Sequence, residues 1–340
     1  MLNRLVCALW LGLLICFGFG RVEAQDPHFS QFFASPMYLN PAFVGGTLQG
    51  RLTLNYRAQW VQLPGEFVTY QVSYDHSVPK SPHSFGLSAQ IDKAGAAGAK
   101  ATTAQIAYAY KLKLTEKVGF KAGLQLGYGN RTLDYFTLVF SDQLSQTGYT
   151  GSPSAEAGLP NATINYIEAG AGLVLYADDF WLGVSGFHLN QPNHSISEIP
   201  EKLPMKISAQ IGYKIKYYKP TKNKREGYFA AISPGLYYSQ QGQFRQLDVG
   251  ANGFLDPLIV GLWYRGVPIQ ASYKGALVTM VGFKYQDFKF LYSYDAGVGK
   301  FGRVAGGAHE FSLAIRVGDR ETRKKYSRKR NEPEFPSLID

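Results

Sequence analysis

"EKVGFKAGLQLGYGN", residues 116–130, decides the fold class. Val118, Phe120, Ala122, Leu124, Leu126 and Tyr128 alternate with Gly119, Lys121, Gly123, Gln125 and Gly127. A period of two sends successive side chains to opposite faces of a strand, so one face here is apolar and the other carries glycine, lysine and glutamine. Residues 206–217 repeat the pattern, with Ile207, Ala209, Ile211, Tyr213, Ile215 and Tyr217 set against Lys206, Ser208, Gln210, Gly212, Lys214 and Lys216. Near the end, Phe311, Leu313, Ile315 and Val317 alternate with Ser312, Ala314 and Arg316.

A soluble sandwich alternates in the same way, but strand length and aromatic placement separate the two. These segments run to roughly 10–15 residues, whereas globular strands peak near 5–6. Tyrosine and phenylalanine gather near their ends, as in the interfacial girdles of outer-membrane barrels. Charged residues make up 18% of the chain, below the roughly 25% of soluble proteins, and aromatics 14%. Beyond residue 24 no run approaches the ~18 apolar residues of a membrane helix. The fold expected is therefore all-β: a transmembrane antiparallel β-barrel of outer-membrane type with about 14 strands. They are expected near 50–60, 66–77, 83–93, 101–113, 116–130, 164–177, 180–190, 205–218, 228–240, 244–254, 258–266, 274–286, 288–297 and 307–317.

An even strand number puts both termini in the periplasm. With the first strand running outward, connections 131–163 and 191–204 fall outside the cell. "ADD" (177–179), "LDP" (255–257) and "QD" (286–287) become tight periplasmic turns, and the lysine-rich 219–227 is a longer one. Residues 1–24 read as a secretory signal peptide: Arg4, the apolar run "LVCALWLGLLICFGFG", then Val22-Glu23-Ala24 as a cleavage site. Cys7 and Cys16 both lie within it, so the processed chain is expected to form no disulfide or thiolate site. Setting aside Arg4, Arg21 and Glu23 takes the formal charge from +10 to +9. The excess is diffuse apart from "KPTKNKR" (219–225) and "RETRKKYSRKR" (320–330), and nucleic acid is not an expected partner. Four regions follow: a signal peptide (1–24), an aromatic and proline-rich segment (25–49), the barrel (50–317) and a basic periplasmic tail (318–340).

"QDPHFSQFFASPMYLNPAFVGG", residues 25–46, has neither helical nor strand periodicity. Pro36 and Pro41 disfavour helix just before them, so the chain there is extended or turning. Phe29, Phe32, Phe33 and Tyr38 need burial, for which the barrel lumen or its periplasmic mouth is available, with Gln31 and Asn40 bonding lumen groups. With "LNYRAQW" (54–60), this stretch resembles the N-terminal signature of the PorP/SprF family, outer-membrane barrels of the type IX secretion and gliding machinery. The matching residues are Asp26, Pro27, Phe29, Ser30, Gln31, Pro36, Asn40 and Pro41, then Tyr56, Arg57, Gln59 and Trp60. Gly307, His309-Glu310 and Ser312-Leu313 match the family's closing strand more weakly.

No G-x-S-x-G nucleophile motif is present, and the spacing of six between His188 and His194 suits neither a helix face nor a metal hairpin. His309 and Glu310 read as a structural or interfacial pair, not an acid–base couple. "GKFGRVAGG" (299–307) and "DKAGAAGAKA" (92–101) read as outer loops, without the following helix that a phosphate cradle needs. No catalytic, cofactor or metal residue is expected. Lys121, Lys206, Lys214, Lys216, Glu168, Asp75 and Arg316 are expected to face the lumen, with mixed sign. The expectation is an integral outer-membrane protein, embedded in membrane lipid and without enzymatic activity. The resemblance implies that it docks periplasmic type IX secretion or gliding components, or anchors an exported surface protein at its outer loops. The basic tail is a candidate contact for peptidoglycan. A porin-like diffusion channel is the alternative, discriminated by whether residues 25–49 fill the lumen.

Overall fold

The computed structural model describes residues 26–95, 98–133, 139–152, 154, 162–196, 199–217, 230–266 and 275–319. The expected signal peptide, the tail from 320, the lysine-rich 219–227 and much of 134–161 lie outside the described residues. Fourteen antiparallel strands form a closed barrel. They are β1 (Gln49–Gln59), β2 (Glu66–Ser77), β3 (His83–Gly95), β4 (Ala99–Lys113), β5 (Gly119–Leu133), β6 (Ala162–Tyr176) and β7 (Phe180–Phe187). The second half comprises β8 (Lys206–Tyr213, resuming at Ile215–Tyr217), β9 (Ala230–Gln241), β10 (Phe244–Leu255), β11 (Leu258–Arg265), β12 (Ala276–Tyr285), β13 (Phe288–Gly297) and β14 (Ala308–Val317). Each strand pairs with its neighbours in sequence, and β14 closes on β1 from Gly50↔Val317 to Gln59↔Ala308. Closure leaves no open edge and satisfies the backbone internally, as hydrocarbon surroundings require.

At the end where β1 begins, connections 78–82, 114–118, 177–179, 256–257 and 286–287 are short. At the opposite end, 134–161, 188–205, 266–275 and 298–307 are longer, beside the shorter 60–65, 96–98 and 242–243. Short turns mark the periplasmic side and long loops the cell surface. The wall is polar inside and apolar outside. Leu124 and Leu126 are 63% and 56% exposed, while Thr53, Ser208 and Ser293 are fully buried on the lumen side. Such an inversion is stable where lipid, not water, covers the outer face.

The strands lie close to their expected positions, with local shifts that have physical causes. β5 starts at Gly119 instead of 116, because the Thr115 hydroxyl accepts from the amides of Lys117 and Val118 and folds those residues into a turn. β7 stops at Phe187, where His188 takes φ 54° and the chain turns through Gln191 N–H to His188 C=O. The glycine-rich 299–307 holds a helix that the sequence pattern did not suggest, Lys300–Ala305, ended by Gly306 in the left-handed region. His309 and Glu310 do not pair: they alternate across the wall. His309 meets the Tyr292 hydroxyl at 2.9 Å on the outer side, and Glu310 is fully buried on the inner one.

Candidate functional site

The lumen is occupied by the chain's own residues 26–48, which run from the long-loop end to the short-turn end before entering β1. Sequence reading offered the lumen or its periplasmic mouth; the segment spans both and reaches the surface mouth as well. Short helical turns compact it, at Phe32–Ala34, Pro36–Leu39 and Pro41–Phe43. Pro36 and Pro41 each open a turn, where a missing N–H is harmless and a fixed φ is an advantage. The Asn40 side chain accepts the Ala42 amide at 2.8 Å and caps the last turn.

At the top, the Asp26 carboxylate lies 2.9 Å from His188 Nε2 and 3.7 Å from Lys206 Nζ, and accepts from Gln241 Nε2 at 3.2 Å. The other ring nitrogen of His188 is 2.9 Å from Glu168. Burial alone would favour a neutral imidazole, but the two flanking carboxylates raise His188 to about 10. Burial also disfavours the Asp26 carboxylate, yet the charges of His188 and Lys206 hold it below the usual carboxylate range. His28 behaves oppositely. Burial, aided by the charge of Arg265, lowers it to about 4, and its Nε2 accepts from the Gln246 amide at 2.6 Å. One histidine of this region is a cation at neutral pH and the other is not.

Just below sits a buried ionic lock. Glu310 receives the consecutive backbone amides of Ser30 (2.7 Å) and Gln31 (2.9 Å). Arg57 spans Glu310 at 3.0 Å and Asp295 at 2.9 Å, and donates to the Ser30 hydroxyl at 2.6 Å. Arg265 reaches the same Asp295 oxygen at 2.9 Å, Ser30 at 2.9 Å and Asp248 at 3.4 Å. The Ser30 hydroxyl completes its valence by donating to Asp295 at 2.6 Å. Two guanidinium groups, three carboxylates and two backbone amides thus bind the segment to β1, β10, β11, β13 and β14. Hydrogen bonds to charged groups contribute about 1.5–3 kcal/mol each.

Aromatic packing fixes the middle: Phe32 stacks on Tyr237 (centroids 4.7 Å apart) and meets Trp263 edge-on at 5.2 Å. Lower down, Asn40 donates to the carbonyls of Leu173 (3.2 Å) and Val184 (3.0 Å), and Ser185 donates to Leu39 C=O at 2.9 Å. A side chain at Gly123 would collide with the Pro41–Ala42 backbone, and one at Gly172 with Asn40. The glycines of the inner face are the track along which the segment lies. At the bottom the Gly45 amide meets Asp75 at 2.8 Å, Asp75 pairs with Arg51 at 2.9 Å, and Lys121 donates to Val44 C=O. Beside the top of the segment lies a cavity of about 190 Å³ lined by Asp26, Tyr38, Glu168, His188 and Lys206 among others.

A family model described as the type IX secretion system membrane protein PorP/SprF matches residues 21–315. The chain belongs to the PorP/SprF family. It is an integral outer-membrane protein. No curated protein matches it. Among solved structures, the Ralstonia pickettii toluene transporter TbuX is 12% identical (TM-score 0.48, covering 84% of this chain and 94% of that one). The Acinetobacter baumannii outer membrane protein Omp33 is 9% identical (0.45; 80% and 100%), and the CymD monoaromatic hydrocarbon channel 13% (0.49; 83% and 91%). At such identity and overlap these likenesses carry no conclusion about this chain.

Of the residues of the PorP/SprF signature, the structure brings Ser30, Gln31 and Arg57 into one network, completed by Glu310 from the closing strand. Asp26 and Pro27 border the cavity; Phe29, Pro36, Asn40 and Pro41 are buried in the segment. Tyr56 faces lipid, 5.2 Å from Tyr70. Gln59 ends β1 opposite Ala308, and Trp60 leaves it at φ 55°, donating its amide to Gly307 C=O at 2.7 Å. Sequence reasoning missed His28, His188, Asp248, Arg265 and Asp295 as parts of the site. Asp248, Arg265 and Asp295 carried only an inward strand position, His188 a place just past a strand end, and His28 a place in the aperiodic N-terminal segment.

Proposed function

We propose that this PorP/SprF protein is a non-enzymatic docking component of the outer membrane. It holds periplasmic type IX secretion or gliding components on its short-turn side, anchors an exported surface protein at its outer loops, or does both. The observation that carries this reading is the lumen: residues 26–48 fill it and are fastened at top, middle and bottom. A barrel that spends an aromatic-rich segment on closing its own bore is suited to bind at its mouths, not to pass solutes through its centre. The basic tail supplies a further contact for peptidoglycan or an acidic component on the same reading.

The test is purification of the tagged protein after mild cross-linking in its own cells. Recovery of periplasmic secretion subunits, or of an exported surface protein, supports docking and says which mouth is used. If it emerges alone, and single-channel conductance in planar bilayers is open without removal of residues 25–49, the diffusion-channel reading replaces docking.

A further inference from the structure

Most of the net positive charge of the described barrel belongs to one end of it. Among the described residues, the short-turn halves of the strands with their turns carry 11 basic and 7 acidic residues, and the long-loop halves with their loops 10 and 9. The formal charge of the described residues is therefore about +4 at the periplasmic end and about +1 at the surface end. Ion pairing moves these charges about but does not alter the count.

Placement on the wall narrows what the charge is for. Lys214, Lys216, Lys284, Lys289 and Arg316 occupy lumen-facing positions on β8, β12, β13 and β14, with Arg51 on β1 beside them. Lys111 and Lys113 continue the row on the opposite wall, at the inward register of β4. Lys284 lies directly across from Lys289 in the β12–β13 register, and Arg51 across from Arg316 where β14 closes on β1. The acidic residues of that end are Asp75, bound to Arg51 and Gly45, and residues of the turns such as Asp179, which meets Lys216 at 2.6 Å. Headgroups of the bilayer meet the outer face of a barrel. A basic ring on its inner face is turned to the aqueous mouth instead.

We infer that the periplasmic mouth is an electrostatic socket for an acidic protein segment, which enters between the lumen-facing lysines of β4, β8 and β12. The socket lies below the N-terminal segment, so the occupant docks against a closed floor and does not traverse the barrel. As a deepening of the docking reading, this names the chemistry of the periplasmic partner. Its attraction is long-ranged at low salt and screened beyond about 10 Å at 0.1 M.

The full chain in nanodiscs of zwitterionic lipid is titrated with a fluorescent fifteen-residue Glu/Gly peptide and with its Gln/Gly counterpart, read by anisotropy. The acidic peptide is expected to bind about tenfold or more tighter than the neutral one, and to weaken steeply as salt rises. The triple substitution Lys214→Glu, Lys216→Glu and Lys284→Glu should remove that preference, and the milder triple change to Gln should reduce it. The matched reversal at the surface end (Lys93→Glu, Lys100→Glu, Arg131→Glu) should change it less than twofold. Equal binding of both peptides, or of wild type and the Glu triple, overturns the socket. So does a preference abolished by deleting residues 320–340 but indifferent to the wall substitutions, which would place it in the tail. In a second preparation with anionic lipid added to the nanodisc, a Glu triple that alters only the response to that lipid and not peptide binding overturns it as well. The outcome is separable from the docking reading: cross-linked partners whose recovery is unaffected by the triple substitution leave docking intact and remove the socket.

Discussion

Two stretches of the N-terminal segment are held by different physics. Near the surface end, Ser30 and Gln31 are gripped by ionised groups: Glu310, Asp295, Arg57 and Arg265, all buried or nearly so. Lower down, above the contacts of Asp75 and Lys121 at the bottom, Asn40, Pro41 and Ala42 lie against bare backbone at Gly123 and Gly172, with neutral hydrogen bonds to main-chain carbonyls. The first grip is strong only when complete, since removing one charge strands the others in a dry site. The second is a matter of shape, and tolerates loss of one bond but not added volume.

That contrast can be broken most sharply at Arg57. Arg57→Ala leaves Glu310 and Asp295 short of a partner and should destabilise the folded barrel by about 3–5 kcal/mol, read by denaturant or thermal unfolding in detergent. Replacing Arg57 by Lys restores the charge but not the two-pronged geometry, and should recover only part of the loss. In the lower stretch, Gly123→Val should cost about 1–3 kcal/mol by pushing Pro41 off the wall. Its signature is local: faster proteolysis of residues 40–48, with the Ser30 contacts intact.

pH tests the same contrast without removing a side chain. His188 is raised from 6.5 to about 10, so its contribution is complete below about 6.5 and drains away as pH climbs toward 10. His28 is lowered from 6.5 to about 4, so charging it penalises the fold as pH falls from 6.5 toward 4. Stability of the surface-end grip should therefore peak near the crossover. His188→Gln should flatten the alkaline limb and His28→Gln the acid limb, in melting temperatures recorded across pH. The glycine-lined stretch should show neither limb.

The barrel was legible because lipid on one side and lumen on the other impose a period of two on every strand, as Leu124 and Gln125 illustrate. What shifted, the start of β5 and the end of β7, depended on local turns at Thr115 and His188 that leave no periodic trace. The grip was only half legible. Ser30, Gln31 and Arg57 stood out through resemblance to the PorP/SprF signature, whereas Asp295 and Arg265 are single inward residues on strands more than 200 positions away. Nothing in a sequence without periodicity states which wall residues will meet it. The full-length path of the segment was illegible for the same reason.

The most direct measurement uses a chain whose cysteines, Cys7 and Cys16, fall within residues 1–24, the expected signal peptide. Pro27→Cys sits beside the surface cavity, and Lys80→Cys in a short turn at the opposite end. Intact cells are treated with a small membrane-impermeant maleimide. The account predicts labelling of Pro27→Cys from outside, with Lys80→Cys labelled only after the outer membrane is permeabilised. Labelling of Pro27→Cys only after permeabilisation would contradict a segment that threads the barrel to its surface mouth.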